Sequence, residues 1–112
     1  MNMNVINKAS ISIVVPGVPR LDASQADGFR STLKDAMATG SLSLVLDLDS
    51  VNLVDSTILG VVVGVYRDLP EDGRLVLCAV SENVKALLHL THLDRILKMY
   101  TTREEAVADL TS

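Results

Sequence analysis

A chain of 112 residues has room for one sheet and a few helices, but not for a cofactor domain joined to a substrate domain. Its 48% apolar and 21% charged residues belong to a packed protein and not to a disordered one, and with only 3% aromatics (Phe29, Tyr66, Tyr100) the core has to be built from Leu and Val. The net charge of −4 comes from 14 acidic and 10 basic residues, and no two basic residues are adjacent, which argues against a nucleic-acid backbone as partner and favours a protein.

Residues 4–7 and 11–15 read as strands, and Pro16-Gly17-Val18-Pro19 as a loop. Apolar positions then fall at Ala26, Phe29, Leu33 and Met37, the spacing of an amphipathic helix capped by Asp22 or Ser24 and ended by Gly40. Gly28 inside it costs about 1 kcal/mol against Ala. Leu42, Leu44, Leu46 and Leu48 alternate with Ser43, Val45, Asp47 and Asp49, which predicts a strand with one fully apolar face.

Residues 58–67 are ambiguous. Their valines and two glycines favour a strand by propensity. Asp55, Ser56 and Thr57 are good helix caps, and on a helix Gly60 and Gly64 would share a face and allow close approach to a sheet. After a turn at 69–73, residues 74–80 are continuously apolar, as in a central strand covered on both sides. Ser81 caps a helix with Val84, Leu87 and Leu88 inside. A short strand follows near 96–99. Thr102 with Glu105 forms a capping box for a last helix through Ala106, Val107 and Leu110. This alternation predicts a mostly parallel sheet in an α/β or α+β arrangement, with 1–112 as one domain.

Cys78 stands alone, so it closes no disulfide within the chain and fits no zinc spacing; inside its apolar run it reads as a small buried hydrophobe. Residues 1–8 lack the blocks of a signal peptide, and the longest apolar stretch, 58–65, is far short of the ~20 residues a membrane helix needs. A cytoplasmic location without membrane insertion is the default expectation.

The phosphate-binding, dinucleotide, zinc-protease and nucleophile-elbow motifs are absent from the sequence. His89 and His92 could share a metal only on one helix face, and they read as surface or cap residues. Asp47, Asp49 and Asp55 lie near strand ends, where open α/β sheets form sites, and could hold a magnesium ion. The plainer reading is that Asp47 and Asp49 solvate a strand end and Asp55 caps a helix. Ser56 has no neighbouring base and is a poor nucleophile; it reads as an N-cap, or as an exposed hydroxyl open to phosphorylation. No catalytic group, cofactor or metal is expected.

The run Leu44-Val45-Leu46-Asp47, followed by Leu53-Val54-Asp55-Ser56-Thr57-Ile58-Leu59-Gly60, resembles the core of STAS domains, in particular bacterial anti-sigma factor antagonists. Residues 61–67, 74–81 and 84–88 and the closing Leu93-Asp94-Arg95-Ile96-Leu97 and Glu104-Glu105-Ala106 are similar to that family in order and spacing. Leu21-Asp22 resembles its pair at the start of the first helix. The resemblance implies a mixed, mostly parallel sheet of four to five strands flanked by about four helices, with a helix starting near Ser56.

It also implies partner switching. An anti-sigma factor that is also a serine kinase of the GHKL ATPase type holds a sigma factor. The unphosphorylated antagonist binds that kinase and frees the sigma factor. Phosphorylation at Ser56, less so at Thr57, releases the antagonist, and a metal-dependent serine phosphatase resets it. Asp22, Asp55, Ser56, Thr57, Ile58, Leu59, Val62 and Val63 are the implied partner-binding residues, on an apolar side of the helix expected to be exposed. Ile58 replaces the glycine usual in the family and places a branched side chain at the helix start. The same domain type also serves in stress-sensing scaffolds and beside lipid transporters, which is the alternative reading of function.

Overall fold

The computed structural model describes residues 3–111. Five strands form the main sheet: β1 (Asn4–Lys8), β2 (Ile11–Val15), β4 (Ser43–Asp47), β6 (Arg74–Cys78) and β7 (Lys98–Tyr100). They lie side by side in that order. β1 runs antiparallel to β2 through the tight turn at Ala9-Ser10, and the other pairings are parallel. Two short strands, β3 (Arg20–Leu21) and β5 (Leu53–Val54), pair in parallel as a separate ribbon. The helices are α1 (Ala26–Ala38), α2 (Ser56–Asp68), α3 (Glu82–Leu90) and α4 (Arg103–Thr111). This is the mixed, mostly parallel sheet with four helices that the sequence predicts.

Parallel strands need crossover helices; α1, α2 and α3 serve as these and cover one face of the sheet, while α4, after the last strand, covers the other. On one face Val14, Leu44, Leu46, Leu75 and Leu77 pack against Phe29 and Leu33 of α1, Ile58, Val62 and Val65 of α2, and Val84 and Leu88 of α3. On the other, Ile11, Ile13, Val45, Val76 and Cys78 lie under α4, with Ala106 buried and Val107 and Leu110 partly so. β4 is therefore buried on both faces. The alternation of leucines suggested a single apolar face, but Val45 completes the second core, while Leu42 lies outside the strand and is exposed.

Other boundaries shift for local reasons. The inner stripe of α1 ends at Ala36, with Met37 only partly buried at its margin. Gly40, at φ +91°, takes the left-handed conformation that ends the helix. β6 stops at Cys78, and the last strand starts later than predicted because Leu93–Arg95 forms a 3₁₀ turn first. Ser81 caps α3, its hydroxyl accepting from the Val84 amide at 3.3 Å. The Thr102 hydroxyl accepts from the Glu105 amide at 3.1 Å, one half of the predicted box. A full capping box forms instead at Asp22 and Gln25, on the 3₁₀ turn that leads into α1.

α4 is attached by charge as well as by packing. The Asp47 carboxylate, buried at the end of β4, accepts from Arg103 Nε at 2.8 Å and from the Asp49 amide at 3.0 Å. At the other end of the helix, Tyr100 and Lys98 both donate to Asp109. Cys78 is fully buried between these elements. Burial first, and the nearby Asp47 charge second, push its thiol from 9.0 up to about 12.

Two outcomes follow. Arg103→Ala leaves a buried carboxylate without its cation. A fully buried pair broken this way costs 3–5 kcal/mol; with the arginine partly exposed, about 2 kcal/mol of destabilisation in urea is the expected loss. Cys78 stays unlabelled by iodoacetamide at pH 8 until the protein is unfolded. Because its folded value lies above its unfolded one, it favours the native state at neutral pH, and that contribution is lost as pH rises from 9 towards 12. Titration of urea midpoints in the wild type and Cys78→Ala over this range checks the sign.

Candidate functional site

β5 delivers the chain to the start of α2. It is held there by the Pro19 carbonyl, which accepts from the Asn52 amide at 2.8 Å and the Leu53 amide at 3.2 Å. Asp55 is extended, and its Oδ1 accepts from the Ile58 amide at 3.0 Å, so the aspartate caps α2. Ser56 is then the first residue of the helix and not its cap, which corrects the role read from sequence. It is exposed, and its hydroxyl has no hydrogen-bond partner among the described residues. Thr57 beside it is exposed as well.

The second oxygen of Asp55 reaches across the molecule. Oδ2 accepts from the Ala23 amide at 2.8 Å and brings the turn at Asp22-Ala23 to the helix start. Asp22 Oδ1 accepts from the hydroxyl and the amide of Ser24, and these bonds, the hydroxyl's first, hold its carboxyl below the usual range. Asp22, Asp55, Ser56 and Thr57 thus gather in one place, although 33 positions separate the first two aspartates in the chain.

Further along α2 only part of the expected apolar side faces outward: Val63 is half-buried, while its neighbours turn inward. Ile58, Leu59, Val61, Val62 and Val65 are buried, with Ile58 at 2% exposure. The sheet and α1 offer a large apolar surface, and a 3.6-residue period takes these five side chains to it. Ile58 and Val62 point to the core, so the branched side chain at 58 does not stand on the outer surface. Gly60 and Gly64 do the reverse of what their spacing suggested. A Cβ added at either would meet nothing within 4 Å, so they look outward and not at the sheet.

Together with Ser56 they form a stripe of small residues four apart. With Leu59 as floor, Val63 and Arg67 along the helix, and Thr91 and Leu93 as the opposite wall, this stripe lines a shallow groove of about 420 Å³. Ser56 lies at one end of it and Arg67 at the other. Gly60, Gly64, Arg67, Thr91 and Leu93 were not among the residues expected here. The spacing of Ser56, Gly60 and Gly64 was the available signal; its direction depended on where the valines went.

The other candidate sites come apart. Asp47 is engaged by Arg103, whereas Asp55 is engaged by two backbone amides at a different strand end, and no metal-ligating cluster occurs among the described residues. His89 pairs with Asp94 at 2.9 Å, while His92 lies beyond α3 in a left-handed conformation at φ 62°, so the two do not share a helix face. No described helix is long and apolar enough to cross a membrane.

Residues 2–106 match the family model described as STAS domain. The anti-sigma-B factor antagonist of Listeria monocytogenes is 31% identical over 96 residues, covering 85% of this chain and 82% of its own. A Thermotoga maritima protein named for the anti-sigma factor antagonist class is 36% identical over 72 residues, 63% of this chain. The match spans 64% of the length of that relative and of its Thermotoga neapolitana counterpart. A solved anti-sigma-factor antagonist (STAS) domain protein from Planctomyces limnophilus superposes with a TM-score of 0.85 at 26% identity, over 96% of this chain and 95% of that one. With the match running through every strand and the first turn of α4, the chain belongs to the STAS domain family.

Proposed function

We propose that this protein is an anti-sigma factor antagonist that works by partner switching. Unphosphorylated, it docks through the groove along α2 on an anti-sigma factor that is also a serine kinase of the GHKL type, and so frees a sigma factor. That kinase phosphorylates Ser56, which ends the docking, and a metal-dependent serine phosphatase restores it. The observation that carries this reading is a free, exposed hydroxyl at the first position of α2, at the mouth of a shallow, largely apolar groove.

The physical argument is one of charge. A phosphate adds about −1.5 to −2 at neutral pH. Beside Ser56 stand the carboxylates of Asp55 and Asp22, both already occupied by N–H or hydroxyl donors. Among the described residues no side-chain cation ion-pairs with either of them; Arg20 acts on Asp22 only through space and Arg67 lines the other end of the groove, so the new charge is added where two carboxylates already stand. A partner packed over the groove would have to desolvate it. The role asks no catalysis of this chain: Ser56 lacks a base, and the protein serves as substrate and ligand of its partner.

Three versions of the protein test the switch. Ser56→Ala keeps the Asp55 cap, folds within about 0.5 kcal/mol of the wild type, and binds the kinase without being released by ATP. Ser56→Asp leaves an unpaired charge in the interface, a cost of about 2–5 kcal/mol, and weakens binding roughly 30- to several thousand-fold. Phosphopeptide mapping after incubation with kinase and ATP finds the phosphate on Ser56. A phosphate confined to Thr57, or wild-type affinity in a folded Ser56→Asp, would remove the basis of the reading.

Gly60 separates stability from docking. Its added Cβ meets open space, so Gly60→Ala raises stability by about 1 kcal/mol through helix propensity. The same methyl fills the groove and lowers kinase affinity about tenfold, the effect of a modest overpacking cost. Thermal unfolding and calorimetric titration of the one variant read both.

A further inference from the structure

We propose that Asp55 is a positioning residue whose carboxylate clamps the turn at residues 22–25 to the head of α2, making that turn part of the docking surface; this rests on the docking reading above. One carboxylate holds two backbone amides from segments far apart in the chain: Oδ1 takes Ile58, within its own helix, and Oδ2 takes Ala23. The preceding segment is fastened by other means. Leu21 is fully buried, β3 pairs with β5, and the Pro19 carbonyl takes two amides from the strand that leads to Asp55.

Beyond Leu21 those fastenings stop. From Asp22 to Gln25 the turn is closed by its own capping box, and the hydrogen bond from Ala23 to Asp55 ties it to the rest of the molecule before α1 begins. A partner that covers Ser56 therefore also meets Asp22, Ala23 and Ser24, held at a fixed place by the residue next to the serine. Losing the clamp leaves Leu21 seated and the fold intact, and frees only this turn.

The test uses two substitutions that keep the cap and remove the bridge. Asparagine is isosteric and a good N-cap, but it puts an acceptor at only one of the two oxygen positions that the amides address; with its oxygen on Ile58, its NH₂ faces Ala23 and cannot accept. In Asp55→Ser the hydroxyl caps α2 and is too short to span. Amide hydrogen exchange in the isolated, full-length protein is expected to speed up about tenfold at Ala23 in both variants, the loss of one charge-assisted bond, with Ile58 protected as in the wild type. In phosphorylation by the serine kinase, KM for the protein is expected to rise about tenfold while kcat changes less, as befits a group that places a surface and touches no reacting atom. Unchanged exchange at Ala23 in both variants overturns the clamp, and a loosened turn with unchanged KM overturns its part in docking. A wild-type protein that the kinase neither binds nor phosphorylates would instead sink the docking reading, and the exchange result would still decide the clamp.

Discussion

Helix α2 has to bury Ile58, Leu59, Val61, Val62 and Val65 at once, and most of what the molecule offers to others follows from that demand. Five large apolar side chains within eight positions take up an arc of about 160°, nearly half of the circumference of a helix. The remaining arc holds Ser56, Gly60, Gly64 and Arg67, with Val63 as its one large apolar residue in the groove. The groove is thus the complement of the core. Its smoothness comes from glycines that cost helix stability, and the inward packing of the valines compensates for them.

The back of the sheet is held differently. The cluster under α4 is small and contains one buried thiol, so it supplies less apolar burial than the front. The paired charges of Asp47 and Arg103, together with the Asp109 contacts to Lys98 and Tyr100, fix the last helix in register. A buried carboxylate is costly without its partner, and this makes the position of α4 specific as well as stable. The two faces are therefore held by different means: the front by apolar packing of three helices, the back by a smaller core with paired charges.

Much of this architecture was legible in the residues. Helix spacing in 26–37, the capped start at Ser81 and the apolar run at 74–80 each follow from local rules, and each appears in the fold. The segment 58–67 was not decided by composition, because valine and glycine both disfavour a helix; burial against the sheet and α1 overrides that preference. The direction of its faces was read backwards for a related reason. Gly60 and Gly64 at a spacing of four suit close packing inward or an open groove outward, and only the position of the sheet distinguishes these. In β4 the leucines drew attention to one face, while Val45 belonged to a core supplied by a helix nearly sixty residues later. The link between Asp55 and Ala23 leaves no pattern in the sequence, since a backbone amide can be donated by any residue but proline.

The two borders of the main sheet are also worth following to their consequence. β7 has three residues and carries Lys98, and β1 ends in Lys8 and carries Asn4 and Asn7. The brevity of β7, and the lysine and asparagines that make three of the five β1 positions polar, discourage the addition of a foreign strand, which is how sheet proteins avoid sticking edge to edge. Strand exchange and fibre growth are disfavoured along both rims. In the docking proposed above, recognition then falls to side-chain fit on a helix, which accepts few sequences, and not to backbone ladders, which accept many.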